Sequence, residues 1–269
     1  MKERAGGAEM RAGRRGAASV PNELVRRHTP MGRLRIHSVH AGHGEPVVLV
    51  HGLSGSHRWW GTTIPALAPH RSVHVPELVG FGGSRPAGAQ PDLDGLAAVL
   101  TEWLDAIGVE RADIVGHSMG GQVAIHLAAS APERVRRLVL ADASGIPRPL
   151  RPSEVVRFAA EVLAPRSWVS PRFLPTIARD ALAAGPRTLL RATLHILRDD
   201  VRPLLPRIAA PTLLIWGALD PLTPPEQGAE MAASVPRSVL VTLPAASHVP
   251  MVEATASFNA ALLGFLLAP

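Results

Sequence analysis

The sequence predicts a protein of the α/β class, a mostly parallel β-sheet covered by helices on both faces. Three observations point there. Short apolar runs alternate with segments of helical spacing along most of the 269 residues. The run Val47-Val48-Leu49-Val50 has no polar interruption, as in a strand buried on both faces. A serine flanked by glycines stands between one such strand and the helix that follows it.

A strand-like alternation begins near Val25, and Leu34 to Val39 reads as a strand edging the sheet. Pro46 introduces the buried run, and His51-Gly52 ends it. Ser72 to Val75, Asp113 to Val115, Val135 to Leu140, Thr212 to Trp216 and Ser238 to Leu243 follow as parallel strands, bounded by glycine, proline or charge. Helical spacing fills the intervals at Trp59 to Leu67, Leu93 to Ile107, Met119 to Ala129, Pro225 to Ala233 and Ala254 to Leu267. Between Gly145 and Arg207 the alternation fails, because no strand pattern occurs and prolines from Pro149 to Pro206 break the helical ones. Apolar residues such as Val155, Leu163, Phe173, Leu174, Leu194 and Leu197, mixed with arginines, suit a small helical cap there. The expected organisation is a mobile tail over 1–23, a core domain in two parts over 24–144 and 208–269, and a cap over 145–207.

With 46% hydrophobic and 19% charged residues, the chain has the apolar content for a sizeable core and is not of disordered composition. Its formal charge of +6 comes from arginine, since Lys2 is the only lysine. The arginines are scattered and accompany no groove-reading motif, so no nucleic-acid partner is expected. Zero cysteines exclude disulfides, a thiol nucleophile and thiolate metal sites. The first twenty residues hold no apolar run of signal-peptide length, and no stretch reaches membrane-spanning length without a charge or proline. The expectation is a cytoplasmic protein with no stable membrane insertion; its oligomeric state is not legible.

Gly116-His117-Ser118-Met119-Gly120 carries the chemistry. A serine at the tip of a sharp strand-to-helix turn takes strained backbone angles, and glycines two positions to either side let strand and helix approach. The turn exposes Oγ, while the helix N-terminus offers free N–H groups and positive potential to a developing oxyanion. A serine hydroxyl is a weak nucleophile and needs a base steadied by an acid. His248 stands after the last strand, and Asp220 follows the strand ending at Trp216. Asp220 before proline also fits a helix cap or Asx-turn. Asp142, ending an earlier strand, is the substitute acid, or else a turn former with Ser144 and Gly145. His117 is expected to pack beside the serine, and His51 and His57 to position a loop or line the pocket.

These segments, with His51 to Ser56 and Pro76-Glu77-Leu78-Val79-Gly80-Phe81-Gly82-Gly83-Ser84, resemble the α/β-hydrolase superfamily from about Val25 to Leu267. The resemblance implies the α/β-hydrolase fold: an eight-stranded, mostly parallel sheet flanked by helices, with a helical cap inserted after the sixth strand. It implies the order Ser118 nucleophile, Asp220 acid, His248 base, and an oxyanion hole from the backbone amides of Leu53 and Met119. Glu77 departs from the family's usual Asp before the Gly80 to Ser84 turn. Haloalkane dehalogenases and epoxide hydrolases carry Asp at the position of Ser118, and the latter use cap tyrosines that this chain lacks. Carbon–carbon bond hydrolases share the triad, but many carry Trp where this chain has Val249.

The expected activity is therefore hydrolysis of an ester or related acyl bond of a small hydrophobic substrate through an acyl-enzyme, with no metal or organic cofactor. Trp59, Trp60, Phe81, Phe158 and Trp168 are the candidate pocket walls, each equally readable as core. The alternatives are a carbon–carbon bond hydrolase of meta-cleavage type, which would need a cation such as Arg148 or Arg191 for its substrate's carboxylate, a perhydrolase, and a non-enzymatic receptor-like or accessory protein.

Overall fold

In the computed structural model, which describes residues 24–84, 91–147 and 169–268, the first two strands, β1 (Val25–Met31) and β2 (Leu34–Ala41), form an antiparallel hairpin. Six strands follow: β3 (Pro46–Val50), β4 (Ser72–Pro76), β5 (Ala112–His117), β6 (Val135–Ala141), β7 (Thr212–Gly217) and β8 (Ser238–Leu243). Together they make one sheet in the order β1-β2-β4-β3-β5-β6-β7-β8. β2 pairs antiparallel with β4, and every pairing from β4 through β8 is parallel. The expected eight-stranded, mostly parallel sheet is present. The expected tail over 1–23 and the candidate walls Phe158 and Trp168 lie outside the described residues.

Period-two alternation explains why the central strands carry no polar stripe. Val48, Val50, Ile114, Leu140 and Leu214 face a core shared with α2 (Leu93–Ala106) and α3 (Met119–Ser130). Val47, Leu49, Val115, Val139 and Ile215 face the opposite core, closed by α1 (Ile64–Leu67) and by the long C-terminal helix, numbered α8 below (Thr255–Leu266). Each such side chain, fully buried, contributes roughly 1.5–3 kcal/mol of transfer free energy. β8 is half-exposed at the sheet edge.

The helix expected from Trp59 to Leu67 is two pieces, a 3-10 turn at His57–Trp60 and the single turn of α1. Pro65 opens α1 at its first turn, where a missing N–H costs nothing, and so sets a new start. The same physics governs the insertion between β6 and β7. Pro171, Pro175 and Pro186 sit in the first turns of a 3-10 turn (Pro171–Phe173), of α4 (Leu174–Ala184) and of α5 (Pro186–Arg198), starting helices where the sequence read them as breaks. Beyond β7 come α6 (Pro225–Ser234), α7 (Pro250–Glu253) and α8. Among the described residues, no helix is long and apolar enough to cross a membrane.

Two polar tethers join the inserted segment to the loop after β3 and to α3. On α4 the buried Asp180 accepts from Ser56 Oγ at 2.6 Å and Arg58 Nη1 at 3.0 Å. After α5, Asp199 Oδ2 accepts from Gln122 Nε2 at 2.6 Å and His126 Nε2 at 2.8 Å, both on α3. His126 Nδ1 reaches Asp94 at 2.6 Å. Burial would lower the pKa of this imidazole, but hydrogen bonds to Asp199 and Asp94 outweigh it and raise the pKa.

Glu77, after β4, gathers three segments. Its Oε2 accepts from His37 Nδ1 at 2.9 Å and Gly83 N at 2.5 Å, and its Oε1 from His57 Nδ1 at 2.6 Å. Burial alone would raise this carboxyl, yet the donors hold it well below the usual carboxylate range. His37, His57 and Glu77 also lie close enough together to be weighed as cation ligands. Separations of 2.6 and 2.9 Å with one ring nitrogen on each carboxylate oxygen are those of N–H···O bonds, and that is how the cluster is satisfied. Glu77→Ala leaves two buried imidazoles without an acceptor and is expected to cost about 3 kcal/mol, read as a lower Tm. Because the folded carboxyl titrates below its unfolded value of 4.5, the Tm gap between native protein and variant should hold at neutral pH and shrink as pH falls below that value.

Candidate active site

β5 runs directly into Ser118, whose φ of 53° and ψ of −120° lie outside the regions that L-residues favour. Close packing enforces this bend. A Cβ at Gly116 would stand 2.4 Å from the carbonyl oxygen of Gly120, and one at Gly120 would stand 2.4 Å from that of Val50. Only glycines let α3 begin so near β3 and β5. The Ser118 amide donates to Ala141 O at 3.0 Å and its carbonyl accepts from Ser144 N at 3.1 Å, which fixes the turn from both sides.

Two loops at the same end of the sheet bring the other groups together. His248, on the loop between β8 and α7, places Nε2 3.0 Å from Ser118 Oγ and Nδ1 2.8 Å from Asp220 Oδ2. Asp220, on the loop after β7, accepts at Oδ1 from the amides of Leu222 at 2.8 Å and Thr223 at 3.1 Å. Its Oδ2 also accepts from Thr223 Oγ1 at 2.5 Å. Burial pushes this carboxyl up, but His248 and the surrounding donors prevail, leaving it below its ordinary value and ionised. Asp220 and His248 are buried, whereas Ser118 is only partly covered and can be reached.

The histidine loop is itself held. Glu253 Oε2 accepts from Ser247 N at 2.8 Å and from Val249 N at 3.4 Å, on either side of His248. His117 Nε2 donates to the carbonyl of His248 at 2.6 Å. Burial, with the neighbouring His248, pushes His117 down to about 3, so it is neutral in this bond. The residue expected merely to pack beside the serine is a strut for the imidazole loop. His51 also positions a loop: its Nδ1 donates to Gly52 O at 2.8 Å and its Nε2 accepts from Leu78 N at 3.0 Å. His57 belongs to the Glu77 cluster.

Met119 opens α3, so its amide has no acceptor within the helix. Leu53 lies on the loop after β3, and its amide donates to none of the described residues. A cavity of about 350 Å³ opens above Ser118 and His248. Its walls are mainly apolar, with Trp59 from the turn after β3, Ile146 from the segment after β6, and Ile177, Leu189 and Ile196 from the inserted helices. No arginine, lysine or carboxylate lines it among the described residues.

The candidate walls separate on inspection. Trp59 lines the cavity, its ring against His117 and Phe173. Trp60 and Phe81 do not, because they are fully buried on opposite sides of the sheet, Trp60 against Phe258 and Phe81 against His51. Asp142, the substitute acid, is buried at the end of β6 and bonds to Gly217 N at 2.9 Å; it is Asp220 that pairs with His248. Thr223 and Glu253 escaped sequence reading. Their only signal is proximity, three residues after Asp220 and five after His248.

The model of the alpha/beta hydrolase fold family matches residues 45–168 and 174–255. A dihydrolipoyllysine-residue acetyltransferase component of an acetoin cleaving system from Pseudomonas putida is 32% identical over 243 residues, 83% of this chain; the match spans 64% of that longer protein. A 2-hydroxy-6-oxo-2,4-heptadienoate hydrolase of Pseudomonas putida is 45% identical over 109 residues, 39% of this chain and 40% of that one. Among solved structures, a thermophilic esterase from Thermogutta terrifontis superposes with a TM-score of 0.78 at 28% identity, covering 91% of this chain and 98% of that one.

Asp220→Asn preserves the shape of the side chain but removes the negative charge facing Nδ1 of His248. The expected result is a fall in kcat on the order of 10⁴ with KM little changed, measured by steady-state hydrolysis of an activated ester.

Proposed function

The chain belongs to the alpha/beta hydrolase fold family, and on that premise we propose that it is a serine hydrolase cleaving an ester or related acyl bond of a small, uncharged, hydrophobic substrate. One observation carries this reading: the continuous hydrogen-bonded series from Ser118 through His248 to Asp220, which opens on an apolar cavity. His248 Nε2 takes the hydroxyl proton as Ser118 Oγ attacks the acyl carbonyl. The carbonyl oxygen becomes an oxyanion held by the Leu53 and Met119 amides, and Asp220 stabilises the imidazolium. The imidazolium then protonates the leaving alcohol as the tetrahedral intermediate collapses to an acyl-enzyme. Water enters, gives a proton to His248 and attacks the acyl carbon; return of that proton to Oγ releases the acid.

The local identity to a dienoate hydrolase keeps carbon–carbon bond cleavage as a second reading. Such a substrate is an anion, and a dry cavity favours one only where a cation meets it. Arg191, a candidate for that role, is exposed and outside the cavity lining, and Arg148 lies outside the described residues. The lining therefore favours a neutral ester, amide or lactone.

p-Nitrophenyl esters of two to eight acyl carbons, assayed beside a 2-hydroxy-6-oxo-dienoate, separate the two readings. Turnover of the esters, rising in kcat/KM with chain length until the cavity is full, is expected. Ser118→Ala should lower kcat by on the order of 10⁴ to 10⁶. Undiminished turnover by that variant would refute the serine reading, and preference for the dienoate would favour carbon–carbon cleavage.

A further inference from the structure

Beneath Asp220 lies a second carboxyl group that the proposed chemistry leaves unused. Asp142 follows β6 with a φ of 42°, a left-handed value uncommon outside glycine, asparagine and aspartate. It is wholly buried. Its amide donates to Ile215 O at 3.1 Å, and its carbonyl lies 3.2 Å from Thr223 Oγ1, the hydroxyl that donates to Asp220 at 2.5 Å. Its Oδ1 accepts from Gly217 N at 2.9 Å. Its Oδ2 is buried and meets no donor among the described residues.

The groups facing it settle how this arrangement can exist. Asp220 is the acidic group that acts most strongly on the Asp142 carboxyl, the two residues meeting at the Thr223 hydroxyl, and Glu253 adds a further acidic neighbour. The imidazoles nearby are His248, which faces Asp220, and His117, neutral in its bond to the His248 carbonyl. Among the described residues, the donor that meets the Asp142 carboxyl is the Gly217 amide, with no arginine or lysine bonded to it. Two adjacent carboxylates in a dry site repel, so the pair retains one proton. Asp220 has two backbone amides, a hydroxyl and an imidazole to stabilise a negative charge, whereas Asp142 has one amide. The proton therefore rests on Asp142, and burial together with Asp220 raises that carboxyl well above its ordinary range. Once protonated, the orphaned Oδ2 becomes a donor, with Asp220 as its acceptor.

We propose that Asp142 is a positioning residue for the serine hydrolase reaction: its carboxyl is kept neutral and donates its O–H to Asp220, holding that carboxylate in line with His248. The inference rests on the triad reading above. It gives a role to a buried carboxyl whose second oxygen meets no donor among the described residues.

Three measurements test it. An infrared difference spectrum, native minus Asp142→Asn at neutral pH, should contain the C=O stretch of a protonated carboxylic acid. Asp142→Ala removes the donor and should lower kcat on the order of 10- to 100-fold with KM little changed. Asp142→Asn offers an N–H to Asp220 and an oxygen to Gly217 in the same volume, and should rescue most of that loss without moving the acid limb of the kcat/KM profile. An ionised Asp142 would instead give no carboxylic-acid band, and its neutralisation in the Asn variant would shift the acid limb to lower pH; either result overturns the proposal. If the Ala variant fails to fold, the spectrum and the Asn profile still decide. Failure of the underlying reading shows separately, as Ser118→Ala retaining turnover, and leaves the infrared result standing on its own.

Discussion

The contact between Asp220 and His248, 2.8 Å long and shielded from water, is the interaction around which this end of the molecule is arranged. A carboxylate taken out of water is costly unless donors replace its hydration. Every nearby element contributes to that replacement. The turn after β7 supplies two amides, Thr223 a hydroxyl and the histidine loop an imidazole. The loop in turn is gripped by Glu253 and His117, so the imidazole reaches the serine at 3.0 Å with little freedom to swing away. The placement of the imidazole and the carboxylate is thus inherited from hydrogen bonds to the backbone that flanks them.

Much of this was legible in the sequence because parallel strands buried on both faces leave a distinctive trace. The Val47 to Val50 run and the strand ending at Trp216 could hardly be anything else, and their ends locate the loops that carry function. The glycines around Ser118 were legible for a related reason, since atoms less than 3 Å from a would-be Cβ admit no other residue. Less visible was anything decided by tertiary partners. Trp59, Trp60 and Phe81 look alike in a sequence, yet one faces the cavity and two fill the core. Prolines read as helix breakers turned out to open helices, because the ring is harmless in a first turn and the sequence does not say which turn it occupies. Thr223 and Glu253 act through geometry that only the folded loops create.

The inserted helices are held as a fixed roof by two polar anchors of different character. Asp180 is tied to the loop after β3, near Leu53, while Asp199 reaches α3 and continues through Gln122 to Ser144 on the cavity wall. The first anchor links cap placement to the proposed oxyanion loop, and the second links it to the helix that begins beside Ser118, the proposed nucleophile. Movement of either inserted helix would therefore be felt at both of these places. The apolar side chains these helices lower into the cavity, Ile177, Leu189 and Ile196, define its ceiling without offering a charge.

The dihedral angles at Ser118 carry a chemical restriction. A second heavy atom on Cβ crowds a backbone at φ near +53°, so a threonine there would have to distort the bend or vacate it. At the position of the proposed nucleophile this scaffold is thereby confined to primary alcohols and to other unbranched side chains. A secondary alcohol of the same reactivity is shut out by stereochemistry at the α-carbon alone, before any question of proton transfer arises.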